Sequence, residues 1–295
     1  MSTRFVEYNF INKEGKGSQY YIDDLDHFEL TFNFDKTTNN NYKELLIDFC
    51  KTITNPGIMF SGGLDSLLVG HSFHEAGVNA THITYKIYDG NVCLNEYETE
   101  FANKFCQDYK KDQIIRRMDY QELVEIYLNT NYWSPHPDLF MQYHSVTEFN
   151  KQFTICFGLP YPAHMKFRKG KLCLTQIYKG ISSSTHPAFP RYGRFQTPTP
   201  AIGTAFFIND FIKNLKDTTK GDFDSGWKHE FYTWLGYDLE PQTKIYIMEN
   251  NIADKKQEFM NLKPAPSKWK CFISVTYEQF LNDYENNDQI TYRSN

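Results

Sequence analysis

The order of hydrophobic and polar residues near the start of the chain is typical of extended strands. Hydrophobic side chains occupy every second position in residues 6–10 and again in residues 28–34, with a glycine-containing turn between the two segments. Two such segments predict a small antiparallel β element. Between residues 42 and 50 the hydrophobic positions follow a spacing of three and four, which predicts a helix that ends at the Asn-Pro-Gly sequence of residues 55–57.

A regular alternation of short hydrophobic runs and amphipathic stretches follows. Residues 57–60 form a run too short for a helix, and Leu64, Leu67 and Leu68 then repeat at helical spacing up to Gly77. The same reasoning predicts strands at 80–88 and 113–119 and helices at 96–111 and 120–128. Repeated strand–helix units of this size indicate an α/β fold, with a parallel sheet flanked by helices.

The pattern is less regular after residue 130. It predicts a helix at 137–152, strands at 153–161 and 171–180, a long Pro-, Ser- and Thr-rich loop at 181–203, and helices near 204–216, 228–235 and 276–285. We therefore predict three regions. They are an N-terminal β element with its lead-in helix (1–54), an α/β domain (55–200) and a mostly helical C-terminal extension (201–295).

The composition is that of an ordinary globular protein. Of 295 residues, 40% are hydrophobic and the net charge is −5, so the chain can bury a large core but has no overall attraction for nucleic acid. None of the six cysteines forms a C-x-x-C pair or a cluster with histidine, which favours reduced thiols and argues against a structural zinc. We find neither a signal segment nor a long apolar run, and we therefore expect a cytoplasmic protein without a membrane span.

The most informative stretch lies between the first strand of the alternation and the helix after it. It consists of Ser61, Gly62, Gly63, Leu64, Asp65 and Ser66. Glycines allow positive φ and close approach of the backbone, serines add hydroxyl donors, and the first amides of a helix attract anions, so the turn suits a phosphate group. A carboxylate beside a phosphate needs a cation between the two, so Asp65 predicts a Mg²⁺ site, unless it only caps the helix.

This six-residue stretch resembles the SGGxDS signature of the ATP pyrophosphatases, the PP-loop superfamily that includes asparagine, GMP and NAD synthetases, tRNA-modifying enzymes and 7-cyano-7-deazaguanine synthases. The resemblance covers residues 55–130. It implies an adenine-nucleotide alpha hydrolase-like fold in which the turn binds the β,γ-pyrophosphate of ATP with Mg²⁺ and AMP is transferred to a substrate oxygen. It also implies that backbone groups of the second strand hold the adenine, here at Thr84, Tyr85 and Lys86, although Lys86 could equally be a solvated strand residue.

Among these families the stretch is most similar to that of asparagine synthetases and deazaguanine synthases. Asparagine synthetases carry an N-terminal glutaminase domain whose nucleophile is the cysteine after the initiator methionine, whereas this sequence begins Met1-Ser2 with about 50 residues before the turn, so we do not expect glutamine hydrolysis. Their second motif is matched only distantly, by residues 221–237. The zinc-binding cysteines of deazaguanine synthases and the cysteine pair of many thiolating enzymes are not found either. We therefore predict an asparagine-synthetase-like, AMP-forming ligase that uses ammonia or an amine directly.

The remaining site residues are expected downstream of the turn. Family members place a lysine or arginine beside the departing pyrophosphate, and we assign this role first to Lys179 and second to Lys171. A solvated basic hairpin is the alternative for either lysine. His164 is a candidate acid or base, and an ordinary loop histidine is the alternative. Asp119 ends a predicted strand at the edge where the ligand is expected, and it is a candidate second ligand of Mg²⁺, although capping of the next helix explains it equally well.

The sequence thus predicts an enzyme with ATP, Mg²⁺ and a small-molecule acceptor as ligands. Two alternatives stay open: an enzyme that modifies a nucleobase or tRNA, and a nucleotide-binding protein without catalytic activity. A basic surface around residues 166–194 on the rim of the site would favour the first alternative, and ATP binding without turnover would favour the second. The sequence leaves undecided the acceptor, a nucleic-acid partner, and whether the chain forms a homo-oligomer.

Overall fold

A computed structural model of the chain describes residues 4–12, 14, 17–18, 25–37, 41–130, 137–158, 164–177, 195, 197–215, 227–240, 255–264 and 272–294. Within these residues the strands are β1 (Val6–Asn12), β2 (Gly17–Ser18), β3 (Leu25–Asn33), β4 (Pro56–Met59), β5 (Thr81–Asp89), β6 (Val92–Cys93), β7 (Gln113–Asp119), β8 (Thr154–Phe157), β9 (His164–Arg168), β10 (Lys171–Ile177), β11 (Phe272–Thr276) and β12 (Gln289–Arg293). The helices are α1 (Tyr42–Lys51), α2 (Leu64–Glu75), α3 (Glu96–Asp108), α4 (Tyr120–Leu128), α5 (Pro137–Phe149), α6 (Pro200–Phe207), α7 (Asp210–Lys213), α8 (Trp227–Trp234), α9 (Lys256–Asn261) and α10 (Tyr277–Asn286).

A parallel sheet forms the centre of the fold. Its strands lie in the order β7, β5, β4 and β8, and the short β6 pairs antiparallel with the end of β5. β4 is buried at every position, as expected for a strand that is covered on both faces. The chain builds the sheet from β4 through β5 to β7 and then crosses to β8, so the winding direction changes between β4 and β8. The predicted α/β fold, with a parallel sheet flanked by helices, is confirmed.

Helices cover both faces of this sheet. On one face α2 and α3 contribute Leu68 and Phe105 to a core that includes Phe60, and the rings of Phe60 and Phe105 lie 5.1 Å apart. On the other face α4 and α5 pack on the sheet, with the Phe149 ring 6.4 Å from the Tyr85 ring of β5. Because hydrophobic side chains of β4 and β5 point to both faces, the two helix layers hold the sheet between them.

The two ends of the chain meet in a second sheet. β1 and β3 pair antiparallel, as predicted, and β12 from the C-terminal end adds to the other edge of β3. Phe5 lies against Phe207 of α6, and Phe32 lies against Phe280 of α10, with ring centroids 5.6 and 5.2 Å apart. Residues from both ends therefore share one core. The boundaries of the three regions stay a prediction.

A third sheet contains β9, β10 and β11, all antiparallel. Two of the strands, β9 and β10, form a hairpin whose turn residues Lys169 and Gly170 both have positive φ. β11 and β12 lie in the extension that the sequence predicts to be mostly helical, and the alternation in each is too short to be recognised from sequence. None of the helices in the described ranges combines the length and the apolar character that a membrane crossing needs.

Candidate functional site

The turn at residues 61–66 lies at the carboxyl end of β4. Phe60 extends β4 by donating its amide to the Ile83 carbonyl of β5 at 2.8 Å, and the chain then leaves the sheet and enters α2 at Leu64. The turn therefore borders the point between β4 and β8 where the winding direction changes. Open parallel sheets bind their ligands in the crevice at this point. The topology marks this turn as the candidate site.

Gly62 determines the path of the turn. Its φ of +89° is a conformation that residues with a side chain rarely adopt. Its Cα also lies against α3, because a Cβ at this position would be 2.0 Å from the Glu98 carbonyl oxygen and 2.7 Å from the Ala102 amide nitrogen. Both observations require glycine, and they hold the backbone of the turn close to α3.

Two serine hydroxyls connect the ends of the turn. Ser66 Oγ accepts a hydrogen bond from the Gly62 amide at 3.1 Å and donates one to the Gly63 carbonyl at 2.9 Å. Ser61 Oγ accepts from the Gly63 amide at 3.2 Å. Gly63 is the N-cap of α2 and has no side chain that could cap the helix. The first amides of α2 therefore lack a side-chain cap, and helix N-termini of this kind bind anions.

The end of β8 is in direct contact with the start of α2. Gly158 follows β8, and a Cβ at this position would lie 2.6 Å from the Asp65 carbonyl oxygen and 2.6 Å from the Ser66 amide nitrogen. The neighbouring strands β4 and β8 run parallel, so both chain segments reach this point from the same edge of the sheet. The turn is thus packed between α3 and the end of β8, which fixes the positions of its amides.

The Asp65 side chain is held by two donors from α8. Lys228 Nζ donates to Asp65 Oδ2 at 2.8 Å, and the Tyr232 hydroxyl donates to Oδ1 at 2.5 Å. Lys228 and Tyr232 are four residues apart, so they lie on the same face of α8. The ion pair is partly buried, with 12% of the Lys228 side chain and 21% of the Asp65 side chain exposed. A lysine ammonium is therefore fixed beside the N-terminus of α2.

Further contacts fix α8 and the segment after it along α2. The Phe231 ring of α8 packs on Phe206 with centroids 5.1 Å apart. After the helix, the Tyr237 hydroxyl hydrogen-bonds to the Ser72 hydroxyl of α2 at 2.9 Å. Burial raises the pKa of the Tyr237 hydroxyl. Since Asp65 and Ser72 are about two turns apart on α2, the α8 segment is attached to that helix at two separate points.

Two of the residues predicted to hold adenine are engaged through their side chains. Thr84 Oγ1 donates to the Phe60 carbonyl at 2.8 Å, which ties β5 to the residue before the turn. The Lys86 ammonium pairs with the Glu96 carboxylate at 2.7 Å, and this hydrogen bond raises the pKa of Lys86. Thr84 thus supports the turn, whereas the Lys86 side chain lies in an ion pair at the surface.

The third residue, Tyr85, is engaged through its hydroxyl, which donates to the Glu148 carboxylate at 2.6 Å, and also through its carbonyl group. Asn95, the residue before α3, donates its side-chain amide to the Tyr85 carbonyl at 2.8 Å and accepts from the Ile87 amide at 3.0 Å. β4 ends before this point, so the Asn95 side chain takes the place of a neighbouring strand. The binding of adenine by Thr84, Tyr85 and Lys86 stays a prediction, and a base that bound here would have to share or displace the Asn95 hydrogen bonds.

Asp119 lies away from the turn. Its carboxylate caps α4 by accepting from the Gln121 amide at 2.8 Å. Its register partner on β5 is Tyr88, whereas Met59 at the end of β4 pairs with Ile83. Asp119 is therefore two strands away from β4 and, at about 3.3 Å per residue, roughly 16 Å beyond the level of Met59 along the strand direction. Asp89, at the end of β5, pairs with Lys255 at 2.7 Å. Asp119 as a second metal ligand stays a prediction that no contact of the described residues supports.

None of the described contacts of the turn involves Lys171. Lys179 lies outside the described residues, and so does the side chain of His164, whose backbone begins β9. Lys171 is exposed at the start of β10, opposite Arg168 and next to the hairpin turn. Their catalytic roles stay predictions. The lysine that meets the turn is Lys228, which the sequence analysis does not single out.

The contacts of Asp65 do not fit the predicted Mg²⁺ site. Magnesium prefers near-octahedral oxygen ligands, but a hydroxyl and an ammonium already engage the two carboxylate oxygens. Among the described residues no group of three acidic, histidine or cysteine side chains could hold an ion. An ion on this carboxylate would lie about 4 Å from the Lys228 ammonium, where the repulsion between charges of +2 and +1 is on the order of 8 kcal/mol at an effective dielectric constant of about 20. We assign no chemical step to a metal.

Comparisons with known proteins give weak similarities. No family model and no curated protein matches the chain. An ammonia-dependent NAD synthetase from Campylobacter jejuni aligns with a TM-score of 0.30 and 15% identity over 39% of this chain and 52% of its own. An NMN synthetase from Francisella tularensis aligns with a TM-score of 0.31 and 11% identity, covering 41% and 53% of the two chains. The aligned part thus spans about half the length of these structures. Likeness at such TM-scores carries no argument, and the fold assignment rests on the strand order described above.

Proposed function

We propose that the chain is a PP-loop ATP pyrophosphatase, which converts ATP into AMP and pyrophosphate while it activates a substrate oxygen. The turn at residues 61–66 carries this proposal. Its SGGLDS sequence, the positive φ of Gly62 and the start of α2 without a side-chain cap coincide at the crevice between β4 and β8. Backbone amides at a helix N-terminus bind phosphate groups, and Lys228 adds a positive charge at the same point.

These groups match the charge that develops as pyrophosphate leaves. An acceptor oxygen attacks the α-phosphorus of ATP, the bond from that phosphorus to the bridging oxygen breaks, and the electron pair leaves with pyrophosphate. The amides of the turn and the Lys228 ammonium stabilise the added negative charge, and their positions are fixed before the reaction begins. Removal of one such donor from a preorganised site typically lowers kcat by roughly 100-fold to 1,000-fold.

We further propose that the acceptor is a carboxylate and that ammonia or an amine completes the reaction, as in asparagine synthetases. The nitrogen attacks the acyl carbon of the adenylate, the carbon–oxygen bond to AMP breaks, and AMP leaves with the electron pair. The nitrogen then loses one proton, for which His164 is the candidate acceptor. The similarity of the SGGLDS stretch to that family supports this step of the proposal.

The test is the identity of the products formed from ATP. Purified protein is incubated with ATP, magnesium chloride, ammonium and, in separate reactions, carboxylic amino acids, nucleosides or tRNA, and the nucleotides are separated by anion exchange. We expect AMP and pyrophosphate in the carboxylate pool, and at least about a tenfold lower rate for Ser66→Ala, which removes the hydroxyl that holds the turn. The matched control is Ser274→Ala, an exposed position on β11. Formation of ADP and phosphate would contradict the proposal.

Modification of a nucleobase or tRNA is a second candidate function. It is favoured by the β9–β10 hairpin, where Arg168, Lys169 and Lys171 are exposed and the Arg168 guanidinium lies 5.5 Å from the Phe272 ring. Basic and aromatic side chains on one surface are typical of RNA-binding sites. This alternative predicts that pyrophosphate release depends on tRNA and decreases when Lys169 and Lys171 are both changed to Ala.

A further inference from the structure

The contacts of Asp65 point to an unusual source of positive charge at the turn. We propose that the Lys228 ammonium, and not a divalent metal ion, is the cation with which Asp65 takes part in phosphate binding. The inference rests on the proposed function, because it concerns the same turn. It differs from the metal-binding role that the sequence predicts for Asp65.

Both carboxylate oxygens of Asp65 are engaged by one helix. Lys228 donates to Oδ2 and Tyr232 to Oδ1 of Asp65, at 2.8 and 2.5 Å. A metal ion would need lone pairs on these oxygens, which here accept hydrogen bonds from protein donors. Because the donors are four residues apart on α8, one helix face supplies both of them.

The position of the Lys228 ammonium also supports this role. Asp65 belongs to the first turn of α2, so the ammonium that it holds is close to the helix N-terminus at which a phosphate would bind. An ammonium carries three N–H donors, so Lys228 can bond to Asp65 and to a phosphate oxygen at the same time. Tyr232 is buried and fixes the second carboxylate oxygen, which orients Asp65 toward Lys228. Asp65 is therefore a positioning residue, and Lys228 is the residue that touches the ligand.

The effect of removing the Asp65 charge distinguishes a lysine-based site from a metal site. In a metal site the carboxylate is indispensable, because the positive charge leaves when the carboxylate is removed. Here the positive charge is covalently attached through Lys228, and the Asp65 carboxylate positions that ammonium while adding a negative charge near the anion. Asparagine at position 65 keeps an oxygen that can accept from Lys228 Nζ and removes only the charge. Loss of the Asp65 charge should therefore tighten phosphate binding, whereas loss of the Lys228 charge should weaken it.

The experiment is calorimetric titration with inorganic pyrophosphate and with ATP, each in EDTA and in millimolar magnesium chloride. Wild type is compared with Lys228→Met, Asp65→Asn and the control Lys213→Met, which changes an exposed lysine of α7. For wild type we expect Kd values in the two buffers that agree within about threefold. In EDTA we expect binding about tenfold or more weaker for Lys228→Met, and a Kd several-fold lower for Asp65→Asn. Circular dichroism melting curves establish that each variant is folded.

Three results would overturn the inference, and each has a different consequence for the proposed function. Wild-type binding that is lost in EDTA and restored by magnesium, with no binding by Asp65→Asn, would establish a metal site and leave the proposed function standing. A folded Lys228→Met protein with a lowered melting temperature and an unchanged Kd would reduce the ion pair to a structural contact between α8 and α2. Absence of pyrophosphate and ATP binding in both buffers would remove the proposed function together with the inference.

Discussion

Replacement of Gly62 by alanine tests the conformation on which the site depends. The substitution adds a methyl group at a φ of +89°, and the Cβ would lie 2.0 Å from the Glu98 carbonyl oxygen and 2.7 Å from the Ala102 amide nitrogen. Both contacts are with the backbone of α3, so no side-chain rotation can relieve them. Either the turn or the helix must move.

The magnitude follows from two separate costs. A non-glycine residue at positive φ costs about 1 kcal/mol or slightly more, and overpacking against a rigid backbone adds about 1–3 kcal/mol. We therefore expect Gly62→Ala to lower the free energy of unfolding by about 3 kcal/mol. Gly77→Ala is the matched control, because Gly77 has a φ of +68° with no atom within 4 Å of the added Cβ, and only the first cost applies.

The assay is urea unfolding at equilibrium, with ATP binding measured on the same preparations. We expect a difference of about 2 kcal/mol between the two variants, and loss of ATP binding in Gly62→Ala alone. Equal destabilisation by the two substitutions would refute the close approach of Gly62 to α3. Unchanged ATP binding in Gly62→Ala would refute the role of the turn.

Three further predictions address other parts of the structure. Burial lowers the pKa of His82 to about 4 from about 6.5 in the unfolded chain, so its contribution to stability is complete above pH 6.5 and is lost toward pH 4. Between pH 6.5 and pH 4 the free energy of unfolding, measured in urea, should fall by about 3 kcal/mol more for wild type than for His82→Phe. The Tyr277 hydroxyl donates to the buried Phe207 carbonyl, so Tyr277→Phe should cost about 1–2 kcal/mol in the same measurement, and no change would contradict the bond. Gly158→Ala should push β8 away from α2 and weaken ATP binding about tenfold, as measured by calorimetry, whereas Gly170→Ala, with open space around its Cβ, should not.

The central sheet and the turn could be predicted because their signals are local. The strand-turn-helix pattern around residues 57–77 is contiguous. The glycines and serines within the six residues 61–66 indicate a turn from local residue types alone. The observed β4 and α2 flank that turn as expected. The N-terminal pairing of β1 with β3 was predictable for the same reason, since the two strands are close in sequence.

The contact between α8 and the turn could not be predicted in this way. Lys228 and Asp65 are 163 positions apart, and helical spacing shows only that Lys228 and Tyr232 share a face, without showing what that face contacts. Residues 221–237 match a second motif of asparagine synthetases only distantly, and that match does not indicate what the segment contacts. β12 was missed because it is a short strand that pairs with β3 from the opposite end of the chain.

The most direct test of the central claim is a crystal structure of the protein with α,β-methylene ATP, whose α–β bridge cannot be cleaved. We predict that the β- and γ-phosphates bind at the first amides of α2, which begins at Leu64, with Lys228 Nζ within hydrogen-bonding distance of a phosphate oxygen. Phosphates bound elsewhere, or a nucleotide whose triphosphate points away from α2 and Lys228, would contradict the account.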